Sequence, residues 1–295
     1  MNTEQTPFPH RSKPASESKT ASELSDRLGK TFIIAYKEDT EELESTLKQE
    51  GLHPLVMRQQ HQPEYKEYSP SYLCLLNHKN VWEIAKNETK PTLIVEADFV
   101  PVIGFGKLPF PFNINQSDVG ISWLYLCAPQ LYSVTPDGYG EGFSASTVAY
   151  IVTPKAAEKL LELEAQKKEN PGPQNYSSWD SELDNFLRKR GLKNYIAFRN
   201  YGEHGGKPNK EHHERGLSKV HRADVLYGKL AFTPSYVDKE KNTQLQLLSA
   251  RFYARLKGIG RLLLGKFLRV YVLKGSSYPG RLLSFAISRQ LTMRL

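Results

Sequence analysis

Acidic side chains are missing from residues 241–295 of this 295-residue chain, which hold eleven Lys and Arg and no Asp or Glu. The formal net charge of +8 therefore comes from this basic tail, and the residues before it carry a slight acidic excess. A basic tail points to nucleic acid or to an anionic membrane surface. Cysteine is scarce: Cys74 and Cys127 are the two in the chain, and neither has a partner at metal-ligand spacing. That excludes a disulfide scaffold and a zinc ribbon, and it predicts reduced thiols in a reducing compartment. No uncharged apolar run of about 18 residues occurs, so no transmembrane helix is expected. The first thirty residues lack the apolar core of a secretory signal. The 20 Gly and 18 Pro follow no period, which excludes a fibre, and no internal repeat is found. With 39% apolar residues the chain can bury a sizeable core, in one large domain or two small ones.

Along the chain, residues 1–29 are rich in Ser, Thr, Glu, Lys and Pro and are expected to form a flexible leader. Residues 30–240 read as the main domain and 241–295 as a separate tail. The run 30–36 predicts a buried strand, 41–51 an amphipathic helix and 55–57 a second strand, the opening of an α/β domain. Ser69-Pro70 begins a helix, with Ser69 as cap and Pro70 at its first position. Leu73, Leu76, Asn80 and Ile84 are expected along one stripe of it, with Trp82 and Ala85 nearby. Pro91-Thr92-Leu93-Ile94-Val95 is an apolar strand suited to the middle of a parallel sheet. Further strands are expected at 122–127 and 147–152, helices at 154–165 and 177–190, and a Gly- and His-rich loop at 200–222.

Glu96-Ala97-Asp98 follows the apolar strand directly. At the carboxyl end of a central strand, two carboxylates face the ligand crevice of an open α/β sheet. Two hard oxygen ligands can hold Mg²⁺ or Mn²⁺ against a diphosphate. Taken alone, the tripeptide reads better as an acidic turn after a strand, because such a tripeptide is common. In the loop after residue 200, His204 lies beside Gly205 and Gly206, and with His212, His213 and His221 it offers a third ligand. Lys207 and Arg215 could neutralise phosphate charge; the alternative is a polar surface loop. In the tail, Phe252, Leu256, Ile259, Leu263, Phe267 and Val270 project onto one helical stripe, and Arg251, Arg255, Lys257, Arg261, Lys266 and Arg269 lie off it. This predicts one basic amphipathic helix lying on an anionic membrane surface. A calmodulin-target or nucleic-acid reading is weaker, since no nucleic-acid module accompanies it, and a helix packing its stripe on the body is the plainer alternative.

Three blocks of the sequence together resemble glycosyltransferase family 25, the lipopolysaccharide-type sugar transferases. They are Asn77-His78 with Trp82, Pro91 and the Leu93–Asp98 strand end; Ser146 to Leu161; and Trp179-Asp180-Ser181-Glu182-Leu183. The resemblance covers about residues 31–237. It implies a GT-A-like α/β fold, an open mixed sheet flanked by helices. It implies transfer of a hexose from a nucleotide diphosphate sugar, UDP-linked, to a lipopolysaccharide or other envelope glycan at the inner, cytoplasmic face of a membrane, with inversion. Glu96, Asp98 and His204 would hold Mn²⁺ or Mg²⁺. Asn77 and His78 would lie beside the donor, Tyr36 could stack on its base, and Lys37 and Lys207 could meet its phosphates. Asp180 would be the general base, with Glu182 and Asp184 behind it, although Asp180 and Glu182 also suit the dipole of a helix start capped by Ser177 or Ser178. Ala97 stands where the family has an aspartate, Asn77 where it has serine, and Ala35-Tyr36-Lys37 departs from its first-strand ending. Those departures motivate the alternative of a non-catalytic relative that binds glycan or membrane.

Overall fold

The computed structural model describes residues 23–60, 62–207, 222–238 and 240–291. A short helix α1 (Leu24–Arg27) leads into strand β1 (Thr31–Ala35), helix α2 (Glu41–Gln49) and strand β2 (Pro54–Arg58). Helix α3 (Pro70–Ala85) then crosses back over β1 to strand β3 (Thr92–Glu96). The rest of the body comprises β4 (Phe99–Pro101), β5 (Val119–Trp123), β6 (Gln130–Val134), β7 (Gly140–Phe143), β8 (Ala149–Val152), α4 (Pro154–Glu169), α5 (Trp179–Arg188), β9 (Lys193–Ile196) and β10 (Gly202–His204). Eight strands form one open mixed sheet in the order β2-β1-β3-β8-β5-β9-β7-β6, and β10 pairs with β4 in a small second sheet. β1 runs parallel to β2 and β3, whereas β8 lies antiparallel between β3 and β5. The fold is thus α/β with an open mixed sheet flanked by helices.

Both faces of the sheet are covered. Phe32, Ile34 and Ile94 join one apolar cluster beneath α3, α4 and α5, while Ile33, Leu93 and Val95 join a second on the opposite face. This alternation along fully buried strands is the period of two expected of a covered sheet. Ser69 caps α3 by accepting from Tyr72 N at 3.2 Å, with Pro70 at the first position. Thr153 caps α4 in the same way, ahead of Pro154. The buried stripe of α3 is not the expected one. Tyr72, Leu75, His78, Val81, Trp82 and Ala85 are buried, whereas Leu73, Leu76 and Ile84 are half-buried and Asn80 is exposed. α5 starts at Ser178 without a side-chain cap, and Ser177 instead donates its N–H to Ser71 Oγ.

The ends of the chain also depart from expectation. Leu24 and Leu28, placed in the leader, are buried in the second cluster; residues 1–22 lie outside the described residues. The tail is three helices, Thr243–Leu263, Val270–Gly275 and Pro279–Leu291, broken after Leu263 where Gly265 adopts φ +63°. Phe267, Leu268, Leu282, Phe285 and Ala286 enter the same core as the sheet. Among the described residues no helix is long and apolar enough to cross a membrane.

Candidate functional site

The strand order reverses between β1 and β3, because the chain moves to one side for β2 and returns to the other for β3. Ligand crevices of open α/β sheets form outside the carboxyl ends of strands at such a point. A cleft of about 540 Å³ lies there. One wall carries Ala35, Tyr36, Asn77, Glu96, Ala97 and Asp98. Asn77 donates from Nδ2 to Ala35 O at 3.1 Å, which ties α3 to the end of β1.

Glu96 is held from behind by a buried relay. Trp82 Nε1 is a donor only and points at the Tyr150 hydroxyl, 2.9 Å away. The Tyr150 proton is then directed to His78 Nδ1 at 2.8 Å, which leaves His78 Nε2 as the protonated nitrogen facing Glu96 Oε1 at 3.3 Å. Thr147 donates to the same oxygen at 2.7 Å. Burial opposes the charge on Glu96, but the His78 and Thr147 donors hold its carboxyl below the ordinary range. Glu96 Oε2 accepts no hydrogen bond from the described residues. His78 is fully buried and lies behind the cleft, not in it, so its place is to orient Glu96 rather than to touch a donor directly.

Asp98 is set by the small sheet. β10 pairs His204 with Phe99, and Gly205 N donates to Asp98 O at 2.7 Å. His204 Nε2 donates to Asp98 Oδ2 at 2.9 Å. Burial opposes a charged imidazole, yet the Asp98 carboxylate beside it raises the His204 pKa above its usual value. Asp98 Oδ1 is buried without a hydrogen-bond partner among the described residues. Gly206 makes the close approach possible, since a Cβ there would stand 2.2 Å from Asp98 Oδ2. The three expected metal ligands are not one preassembled set. The ligand atoms that lie within 4.8 Å of one another are those of Cys74, His78 and Glu96. His204 Nε2 is committed to Asp98, which leaves Nδ1 as its ring nitrogen with a lone pair.

The remaining expected residues divide. Tyr36 lines the cleft, while Lys37 stacks over the Tyr36 ring at 4.9 Å. Lys207 is exposed and does not line the cleft. His212, His213, Arg215 and His221 lie outside the described residues. Trp179 anchors the start of α5 on α3, with its ring 5.1 Å from His78 and its Nε1 donating to Ser71 O. This places Asp180 near the cleft, where its charge helps burial raise the Cys74 and Cys127 thiols. Asp180 Oδ1 also accepts from Ser181 N at 2.8 Å. Glu182 turns away to an ion pair with Lys167 at 2.6 Å, and Asp184 is buried against Asn194 and Tyr132. Both are thereby committed to structural partners.

The opposite wall was not foreseen. Gln59, Tyr65, Lys66 and Tyr68 come from the segment before α3, with the Tyr65 and Tyr68 rings 5.3 Å apart. Aromatic faces and one cation suit a nucleotide base and a phosphate. The signal in the sequence was the Tyr pair three residues apart after Pro63.

No family model and no curated protein matches the sequence. Solved structures offer loose likenesses. A glycosyltransferase involved in glycosylation of the major capsid of PBCV-1 aligns with TM-score 0.40 and 10% identity, over 57% of this chain and 81% of that one. Drosophila β1,4-galactosyltransferase 7, in a mutant complex with manganese, UDP-Gal and xylobiose, aligns with TM-score 0.32 and 12% identity, over 65% of this chain and 76% of that one. The catalytic domain of the same Drosophila enzyme with xylobiose gives TM-score 0.32 and 13% identity, over 57% and 65%. With superpositions this loose, the functional reading rests on the cleft itself.

Proposed function

We propose that this protein is a GT-A-like glycosyltransferase that moves a hexose from a UDP-sugar to a glycan acceptor. The observation that carries the reading is the pair Glu96 and Asp98 at the strand-reversal cleft, each keeping one oxygen that accepts no hydrogen bond from the described residues. The residues fit a divalent cation: the free atoms are hard carboxylate oxygens, one of them a buried orphan. Mn²⁺ or Mg²⁺ held by Glu96 and Asp98 would neutralise charge on the diphosphate leaving group. His78 and His204 keep the two carboxylates oriented. Tyr36, Tyr65 and Tyr68 offer faces to the base, and Lys66 meets a phosphate. Asp180 takes the proton of the acceptor hydroxyl as that oxygen attacks the anomeric carbon, which gives inversion.

The acceptor in this reading is lipopolysaccharide or another envelope glycan, and the protein works at the inner face of a membrane. The support for that location is the tail. Phe252, Leu256, Ile259 and Leu263 are exposed along its first helix, with Lys257 and Lys266 exposed among them and no acidic side chain in the tail. A second reading, a non-catalytic relative, is favoured by Ala97, which leaves the strand end one carboxylate short.

Calorimetric titration with UDP-glucose and UDP-galactose tests the proposal. Binding is expected with Mn²⁺ and is expected to weaken by at least about tenfold in EDTA or in Asp98→Ala, the loss of a charge-assisted contact. Asp180→Asn should bind the donor and fail to transfer or hydrolyse it. Equal affinity with and without Mn²⁺ overturns the metal site. Donor binding by the parent protein with no turnover of any acceptor favours the second reading.

A further inference from the structure

A second groove, of about 790 Å³, opens between β6, α5 and the tail. β6 contributes Tyr132, α5 contributes Asp184 and Arg188, and the tail contributes Arg269, Tyr271 and Tyr278. Asp180, Asp184 and Arg188 recur every four residues and so follow one broad face of α5. Arg188 stands about 12 Å along the helix from Asp180, at 1.5 Å per residue. The groove therefore begins one turn beyond the proposed base.

Its chemistry is cationic and aromatic. Asp184 is occupied, with Oδ1 accepting from Asn194 and Oδ2 from the Tyr132 hydroxyl. Arg188 stacks its guanidinium on the Tyr132 ring at 4.5 Å, and Arg269 lies 5.9 Å from the Tyr271 ring. Neither arginine forms a salt bridge within 4 Å with a described residue, although Arg188 lies near enough to Asp184 and Glu141 to favour their charged forms. Stacking on Tyr132 orients the Arg188 guanidinium and leaves edge N–H groups for a planar or tetrahedral anion. Tyr271 and Tyr278 are exposed, offering flat apolar faces with hydroxyl edges. Two arginines without a salt bridge among the described residues, beside exposed tyrosine rings, match a sugar that carries a phosphate or carboxylate.

We propose that this groove binds an anionic saccharide, the charged stretch of the acceptor glycan, and leads it along α5 to Asp180. The word acceptor rests on the sugar-transfer reading; the binding site does not. The test uses the full chain with trehalose 6-phosphate, trehalose and inorganic phosphate as probes, followed by saturation-transfer NMR and calorimetry. Trehalose 6-phosphate should bind at least about tenfold more tightly than either partial probe, the margin of one arginine–phosphate contact. Arg188→Gln and Arg269→Gln should each weaken it by about tenfold, with melting temperature unchanged. Tyr271→Ala should weaken trehalose and its phosphate alike. Equal binding of the charged and neutral disaccharides, or full binding by the arginine variants, overturns the proposal, as does inorganic phosphate matching the sugar phosphate. A parallel titration of the parent protein with UDP-glucose separates the two readings: its failure beside intact sugar-phosphate binding removes the transferase and leaves the groove.

Discussion

Glu96 and Asp98 each keep an oxygen that accepts no hydrogen bond from the described residues, whereas Arg251, Arg255, Arg261 and Arg289 of the tail turn inward and donate to fixed partners. Arg251 donates to Glu203, whose side chain is fully buried, and to Ala223 O. Arg289, with no exposed surface, grips Asp224 through both terminal nitrogens at 2.5 and 2.6 Å. Arg255 donates to Gln290 O and Arg261 to Pro129 O. Charge at the cleft is arranged to receive something, and charge in the tail is arranged to hold the tail. The consequence on the outer side of the tail is apolar: Phe252 is 60% exposed and Leu263 80%. A helix that satisfies its cations against the body presents its greasy stripe to whatever lies outside.

The largest expected effect breaks the tail side of this comparison. Asp224→Ala strands Arg289 as an unpaired buried charge, and should cost about 3–5 kcal/mol in urea denaturation. Adding Arg289→Met should recover most of the loss, because an apolar pair needs no counter-charge. The pair also sets an acid limit. Burial opposes the charged form of Asp224, but Arg289 and Gln290 hold its pKa below the ordinary value. Its contribution is therefore complete above about pH 4 and is lost as pH falls through the lower folded-state value. The double variant should lose this part of the acid sensitivity. If Asp224→Ala melts like the parent, the tail is an appendage and the contrast fails.

A smaller effect sharpens the cleft side. In Gly206→Ala the added methyl would press on Asp98 Oδ2 and reach 3.0 Å from His204 Nε2. The carboxylate must swing, so affinity for UDP-glucose with Mn²⁺ should fall by about tenfold, a displaced charge-assisted contact. Calorimetry on Gly206→Ala and on the parent reads this directly. Unchanged affinity would mean that the geometry of Asp98 and His204 does not matter to the donor.

What the sequence revealed follows the range of the interactions involved. The Leu93–Asp98 strand end and the Ser69 cap depend on neighbours along the chain and were legible. The phase of α3 was misjudged because Leu73, Leu76 and Ile84 are themselves half-buried, so apolar residues occupy more than one face. His78 was placed beside the donor, since nothing local reveals that Tyr150, 72 positions away, claims its other nitrogen. The Tyr65–Tyr68 wall has no periodicity and acquires its meaning only when α3 crosses back over β1. In the tail the stripe was legible from Phe252 to Leu263, but the break at Gly265 that sends Phe267 into the core was not. Glu203 and Asp224, which decide which side faces inward, are distant in sequence from Arg251 and Arg289.

The smallest effect on the fold should accompany a clear effect on location. Phe252→Gln with Leu256→Gln removes two exposed apolar side chains and keeps good helix formers in place. Little packing is lost, so stability should change by no more than about 0.5 kcal/mol. On vesicles containing phosphatidylserine the same change should matter far more. Each Lys or Arg near such a surface contributes about 1 kcal/mol and is screened by salt, while inserted apolar groups are not. The parent should therefore co-sediment strongly at low salt and keep a residual bound fraction at high salt, and the double variant should lose that residual fraction. Self-association is the rival use of the stripe. Two copies would bring their basic tails together with no acidic tail residue to offset them, so the parent should sediment as a monomer without lipid. A dimer that the double variant dissolves, with no vesicle binding by the parent, would assign the stripe to a second copy and end the membrane reading.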